Sequence, residues 1–311
     1  LHLSLRRQRQ MCIRDRYGKK CDYDKVAESW ELSCHKDGPS VVADGEYKGL
    51  TLNEYIEKAG KGVLGKNCER FENFPILIKL IDAKDNLSVQ VHPDNDYAMR
   101  VEGEYGKTEM WYVVDCDEGA TLLYGFKHEI TKEEFARRIA DNTLLEVTNA
   151  VPVKKGDVFF IKSGTLHAIG KGILIAEIQQ NSNTTYRIYD YGRVGKDGKP
   201  RELHVNKALD VTKLAPAEQY PETPVEKKDG YDIKLLSKCE YFTTYRVNVE
   251  TKAELDADEN SFNSILVLEG EPVISGGETV SAKKGESVFI SAGTGKYTVE
   301  GKCTFVLTKI D

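Results

Sequence analysis

The sequence predicts a mainly β protein made of two related sandwich or barrel units with a small helical insertion, and three observations carry that expectation. Short runs rich in β-branched and aromatic residues recur at close spacing, broken by Gly, Asp and Pro. The first group is "FPILIKLIDA", "EMWYVVDC", "ATLLYGF", "VFFIKS", "GILIAEIQQ" and "TTYRIYDY"; the second is "YFTTYRVNVE", "FNSILVLEGE", "SVFISAG" and "CTFVLTKI". Such a series points to antiparallel sandwiches or barrels. Next, "KKGDVFFIKSGTLH" (154–167) aligns without gaps to "KKGESVFISAGTGK" (283–296), the mark of an internal duplication. Finally, "KLAPAEQYPETPVEKKDG" (213–230) carries three prolines among many charges and reads as a linker. The chain is expected to divide into a unit over 17–212, the linker over 213–230 and a unit over 231–311.

Three helices interrupt the strands. In "LTLNEYIEKAG", Thr51 and Glu54 form a capping box flanked by the staple pair Leu50 and Tyr55, with Gly60 at the stop. "ITKEEFARRIADN" repeats the device with Thr131, Glu134, Ile130 and Phe135, which places a helical insertion near 130–142. "RELHVNKALDV" (201–211) is the third.

Composition narrows the function. With 40% hydrophobic and 30% charged residues in 311, the chain is a globular protein with room for real cores, and no apolar run approaches a membrane span. A net charge of -6 argues against a nucleic-acid or anionic-membrane partner. Seven scattered cysteines without a C-x-x-C fit reduced thiols in the cytoplasm. The first sixteen residues, "LHLSLRRQRQMCIRDR", hold five arginines against one acid and are read as a foreign start outside the native fold.

The chemistry concentrates at "NLSVQVHPDND" (86–96), where Leu87, Val89 and Val91 alternate with Ser88, Gln90 and His92 before Pro93 ends the pattern. Alternation puts the three polar groups on one strand face. Glu109, entering the apolar "MWYVV" run, and His167, closing the first repeat, join them as candidates. A loose match of "EMWYVVDCDEGA" to "FNSILVLEGEPV" sets Glu109 opposite Phe262, and the repeat sets His167 opposite Lys296. The scaffold recurs while these two residues do not, which marks them as chemical. Two imidazoles, a carboxylate and the Gln90 amide suit a catalytic divalent ion: zinc, or equally iron, manganese, cobalt or nickel by ligand type. Ligands at i and i+2 on one strand, with others on later strands, converge only in a closed β unit. His35, His128 and His204 are read as ordinary surface or core histidines.

At these residues the chain resembles the type I mannose-6-phosphate isomerases in their short bacterial form. The likeness is carried by "ESWELS", "LSVQVHPD", "GKTEMWYVV", "GTLHAI" and "QNSNTTYRIYDYGR" and runs from about Tyr17 to the C-terminus. It implies two cupin-type jelly-roll units, the first carrying the metal and the second degenerate. It also implies zinc on Gln90, His92, Glu109 and His167, a catalytic arginine at Arg187, and interconversion of mannose 6-phosphate and fructose 6-phosphate through an enediolate. Lys107, two residues before Glu109, is the first candidate for proton transfer or phosphate binding. Two rival readings are a cupin metal oxygenase, which leaves "NSNTTYRIYDYGR" unexplained, and a non-catalytic sugar-binding cupin, expected to have lost a ligand. The expected partner is a small sugar phosphate; the oligomeric state is open.

Overall fold

The computed structural model describes residues 2–4, 8–10, 26–194 and 198–311. It is mainly β, and its four α-helices among the described residues are all too short or too polar to cross a membrane. The chain forms two compact units, Leu1–Leu80 with Pro221–Asp311, and Ile81–Tyr220.

In the first unit an eight-stranded antiparallel sheet runs in the order Val225–Lys228, Tyr231–Lys238, Thr243–Val249, Cys303–Lys309, Asn263–Gly270, Ser287–Ile290, His2–Ser4, Val41–Val42. A four-stranded sheet runs Lys252–Ala257, Gly295–Glu300, Val273–Gly276, Glu278–Ser281. Both sheets feed one core, which includes Val247, Ile265 and Phe305 from the larger and Ile274, Tyr297 and Val299 from the smaller. The helix Leu52–Ala59 starts as read, with the reciprocal Thr51–Glu54 box closed. Of the first sixteen residues, His2–Ser4 and Gln8–Gln10 form short strands, the former paired with Ser287 and Val288; the rest of that segment lies outside the described residues.

The second unit is also a two-sheet sandwich. Its five-stranded sheet runs Tyr186–Tyr189, Val89–Val91, His167–Ala168, Thr121–Phe126, Thr148–Pro152. Opposite it, Glu109–Cys116 pairs with Val158–Ile161 on one side and Ile173–Gln180 on the other. Trp111, Val113, Ile161 and Ile175 meet Leu122, Tyr124 and Ile169 between the sheets. The outer face of the five-stranded sheet is covered as well: Phe135 and Ile139 of the helix Lys132–Ala140, with Ala208 of the helix Val205–Val211, pack on Val89, Val91, Phe126 and Ile188. Val89 and Val91 of the aliphatic face read in "NLSVQVHPDND" are therefore buried beneath helices and the polar face looks into the sandwich, whereas Leu87, ahead of the strand Val89–Val91, packs against the core between the sheets.

Two helix expectations shift. Thr131 accepts from the Glu134 N–H, but the Glu134 carboxylate takes the Arg138 guanidinium at 3.2 Å, so only half of that box forms. The third helix begins at Val205, four residues later than read, because Glu202 and His204 are bonded to Arg187 of a strand.

The repeat is a structural device. Its glycines adopt positive φ in both copies, Gly156 and Gly285 (93° and 83°) and Gly164 and Gly293 (84° and 78°), a region open to glycine at little cost. The acid that follows each Lys-Lys-Gly closes the turn: Asp157 accepts from the Lys154 N–H at 2.9 Å and Glu286 from the Lys283 N–H at 2.8 Å. Strand register, however, moves the residue equivalences by one. Ile161 pairs with Glu109 and Ile290 with Asn263, so the counterpart of Glu109 is Asn263 and not Phe262. Lys296 is exposed while its neighbour Tyr297 is buried, and Tyr297 pairs with Leu255 as His167 pairs with Gln90. The positions of Gln90, His92, Glu109 and His167 thus carry Leu255, Ala257, Asn263 and Tyr297 in the other unit. Asn263 Nδ2 donates to the Tyr297 hydroxyl at 2.9 Å, a neutral pair in a filled core.

Removing that hydroxyl with Tyr297→Phe is expected to cost about 1–2 kcal/mol of stability. Denaturant midpoints would read the change, with bound metal unaltered; metal loss in this variant would contradict the assignment of a filled, metal-free core.

Candidate metal centre

Each candidate ligand is placed by a strand. On the five-stranded sheet, Arg187, Gln90 and His167 stand in one row across three neighbouring strands, since Gln90 pairs with both others. His92 lies two residues beyond Gln90 and so shares its face. Glu109 projects from the opposing sheet. The result is convergence: one ligand atom each from His92, Glu109 and His167 lies within 4.8 Å of the others.

The imidazoles are oriented by backbone. His92 Nδ1 donates to the Thr184 carbonyl at 2.9 Å, and His167 Nδ1 donates to the Thr165 carbonyl at 2.8 Å. Both Nε2 atoms are then lone-pair acceptors aimed at the carboxylate, His167 Nε2 at 3.3 Å from Glu109 Oε1 and His92 Nε2 at 3.6 Å from Glu109 Oε2. Carbonyl partners of this kind fix the tautomer that a metal needs. Burial pushes the His167 pKa down to about 4, which keeps the ring neutral at physiological pH. The Trp111 indole stands edge-on to the His167 ring, 5.2 Å between centroids. Gln90 Nε2 donates to His167 Nε2 at 3.3 Å, and the same amide offers an oxygen by rotation about its last torsion.

Lys107, read as either a functional or a solvated loop lysine, is only 3% exposed. Its ammonium contacts Glu109 Oε2 at 2.7 Å and His92 Nε2 at 3.1 Å. The preceding glycine admits it: a Cβ on Gly106 would sit 2.4 Å from the Asp94 carbonyl carbon and 2.5 Å from the Asn95 nitrogen. The Gly106 N–H donates to Asn95 Oδ1 and the Lys107 N–H to the Pro93 carbonyl, which fastens this loop to the segment after His92.

Arg187 is half-buried beside this group, donating through Nε to Ser88 Oγ at 3.3 Å and through Nη1 to the Glu202 carbonyl at 3.2 Å. Sequence reasoning passed over Glu177. It is buried, accepts the Trp111 indole N–H at 2.8 Å and lies 3.8 Å from Lys107 Nζ. Its signal was present as the one acid in "GILIAEIQQ".

A model of the type I phosphomannose isomerase catalytic domain matches residues 13–119, and one of the mannose-6-phosphate isomerase cupin domain matches residues 232–310. The mannose-6-phosphate isomerase ManA of Bacillus subtilis is 38% identical over 296 residues, covering 94% of this chain and 92% of that protein. The chain belongs to the type I phosphomannose isomerase family. A mannose-6-phosphate isomerase of Streptococcus mutans is 38% identical over 285 residues, 89% of this chain and 86% of that one. The crystal structure of the mannose 6-phosphate isomerase from Bacillus subtilis aligns with a TM-score of 0.92 at 36% identity, covering 99% and 98% of the two chains. A mutant phosphomannose isomerase from Salmonella typhimurium shares the fold, with a TM-score of 0.80 at 15% identity over 100% and 99%. Type I phosphomannose isomerases depend on a metal, and His92, Glu109 and His167 form a group able to hold one.

His167→Ala is expected to lose most bound metal, measured by elemental analysis of purified protein, whereas Lys296→Ala, altering an exposed side chain, is expected to retain it.

Proposed function

We propose that the protein interconverts mannose 6-phosphate and fructose 6-phosphate, with one zinc ion per chain held by Gln90, His92, Glu109 and His167. The observation that carries the reading is the meeting of two buried imidazoles and a buried carboxylate from opposite sheets, in a chain of this family. The donor set fits a borderline divalent cation, and it also suits iron, manganese, cobalt or nickel. When bound, the metal would supply Lewis acidity to the sugar's reacting oxygens.

The rest falls to the chain's own groups. Aldose–ketose exchange removes a proton next to a carbonyl and returns it to the neighbouring carbon, so negative charge develops on two adjacent oxygens and must be met by fixed cations. Arg187 is one such cation, held on the ligand row by Ser88 and Glu202. Lys107 is the second, and its ammonium, kept among Glu109, His92 and Glu177, is the candidate for holding or moving the proton. Enclosure between two sheets limits the water that would compete for these charges. The C-terminal repeat serves as a metal-free scaffold, its ligand positions filled by Leu255, Ala257, Asn263 and Tyr297. The five described cysteines are all free, which supports a cytoplasmic enzyme; Cys12 and Cys21 lie outside the described residues.

Turnover of mannose 6-phosphate is expected to vanish on chelation and to return with added zinc; turnover unaffected by exhaustive chelation would refute the metal's role. Arg187→Ala is expected to lower kcat by about 100-fold while bound metal stays unchanged, and a wild-type kcat in that variant would remove Arg187 from the mechanism.

A further inference from the structure

We propose that His204 is a positioning residue for the reaction, acting by holding the backbone of Arg187. The inference rests on the reading of Arg187 as a catalytic cation. Arg187 lies in Tyr186–Tyr189, which is the edge strand of the five-stranded sheet. Edge strands have one side of their backbone without a ladder partner, and at Arg187 that side is met by a single residue. The His204 N–H donates to the Arg187 carbonyl at 2.8 Å, and the Arg187 N–H donates to His204 Nδ1 at 3.2 Å. A third bond, from Arg187 Nη1 to the Glu202 carbonyl at 3.2 Å, ties the guanidinium to the same segment.

The geometry explains why the acceptor is a ring. The His204 carbonyl already takes the Ala208 N–H at 2.9 Å, at the start of the helix Val205–Val211. The backbone of residue 204 therefore has a donor to offer Arg187 and no acceptor, and the imidazole supplies what is missing. Because both backbone groups of Arg187 turn outward to His204, Arg187 and Gln90 form the non-hydrogen-bonded kind of antiparallel pair, in which side chains stand closest. The His204 clamp thus sets the distance between the arginine and the ligand row.

Acceptance at Nδ1 requires that atom to carry no proton. Burial lowers the His204 pKa from the ordinary histidine value, and the groups facing it are Glu202 on its own segment, Lys207 on the following helix, Arg187 and the Tyr186 ring on the strand, and Glu102 after the helix Asn95–Val101. Folded-state protonation is thereby delayed to lower pH, so the clamp is intact at neutral pH and opens as pH falls, when Nδ1 becomes a second donor opposite the Arg187 N–H.

The test is a cycle of variants assayed with metal saturating. His204→Leu keeps the bulk and removes the acceptor; it is expected to lower kcat about 10- to 100-fold with bound metal unchanged. His204→Asn, whose amide oxygen can reach the position of Nδ1, is expected to restore most of that loss and to shift the acid limb of the kcat–pH profile. In an Arg187→Ala background, His204→Leu is expected to cost almost nothing further, because both changes act on one group. An unchanged kcat in His204→Leu, an Asn variant as impaired as the Leu variant, or an undiminished loss in the Arg187→Ala background would each overturn the inference. An Arg187→Ala enzyme with full kcat would instead sink the reading of Arg187 beneath it.

Discussion

A carboxylate with no exposure at all is the constraint on which the second unit depends. Glu109 is fully buried between two sheets, where an uncompensated charge would cost several kcal/mol. Of its neighbours the Lys107 ammonium at 2.7 Å answers part of that cost, while two imidazole nitrogens at 3.3 and 3.6 Å turn lone pairs toward it. Those imidazoles are in turn held by the Thr184 and Thr165 carbonyls. Loop, strand ends and opposing sheets are all committed to one small volume, and a divalent cation is the group that such an acceptor-rich arrangement suits best.

The internal repeat gives a control within the same chain. The same strand pairs, positive-φ glycines and turn-closing acids recur in both units. The chemistry does not: Asn263 and Tyr297 replace an acid and a base with a neutral hydrogen bond, and Leu255 and Ala257 fill what Gln90 and His92 leave open. One backbone plan therefore supports either a packed core or a polar centre, decided by four side chains. The function lies in those substitutions and not in the fold.

Much of this was legible in the sequence. The alternation of Ser88, Gln90 and His92 with Leu87, Val89 and Val91 identified the ligand face, because side-chain period on a strand is fixed by covalent geometry. The gapless repeat identified His167 as a departure from scaffold. Two things were not legible. Sequence alignment carries no hydrogen-bond register, so the loose match set Phe262 where pairing places Asn263, and the gapless repeat set Lys296 where pairing and burial place Tyr297. Tertiary partners are likewise invisible to local pattern: residues 201–204 read as helix but two of them, Glu202 and His204, bond Arg187, and Glu177 read as part of an apolar strand. In each case the deciding contact is with a residue distant in sequence.

The most direct measurement is anomalous diffraction at the zinc edge from crystals of the zinc-loaded protein. The account predicts one strong peak per chain, about 2.0–2.2 Å from His92 Nε2, His167 Nε2 and a Glu109 oxygen, with the Gln90 amide beside it and none near Asn263 and Tyr297. A peak elsewhere, or a protein that turns over substrate in solution with no metal at these side chains, would contradict it.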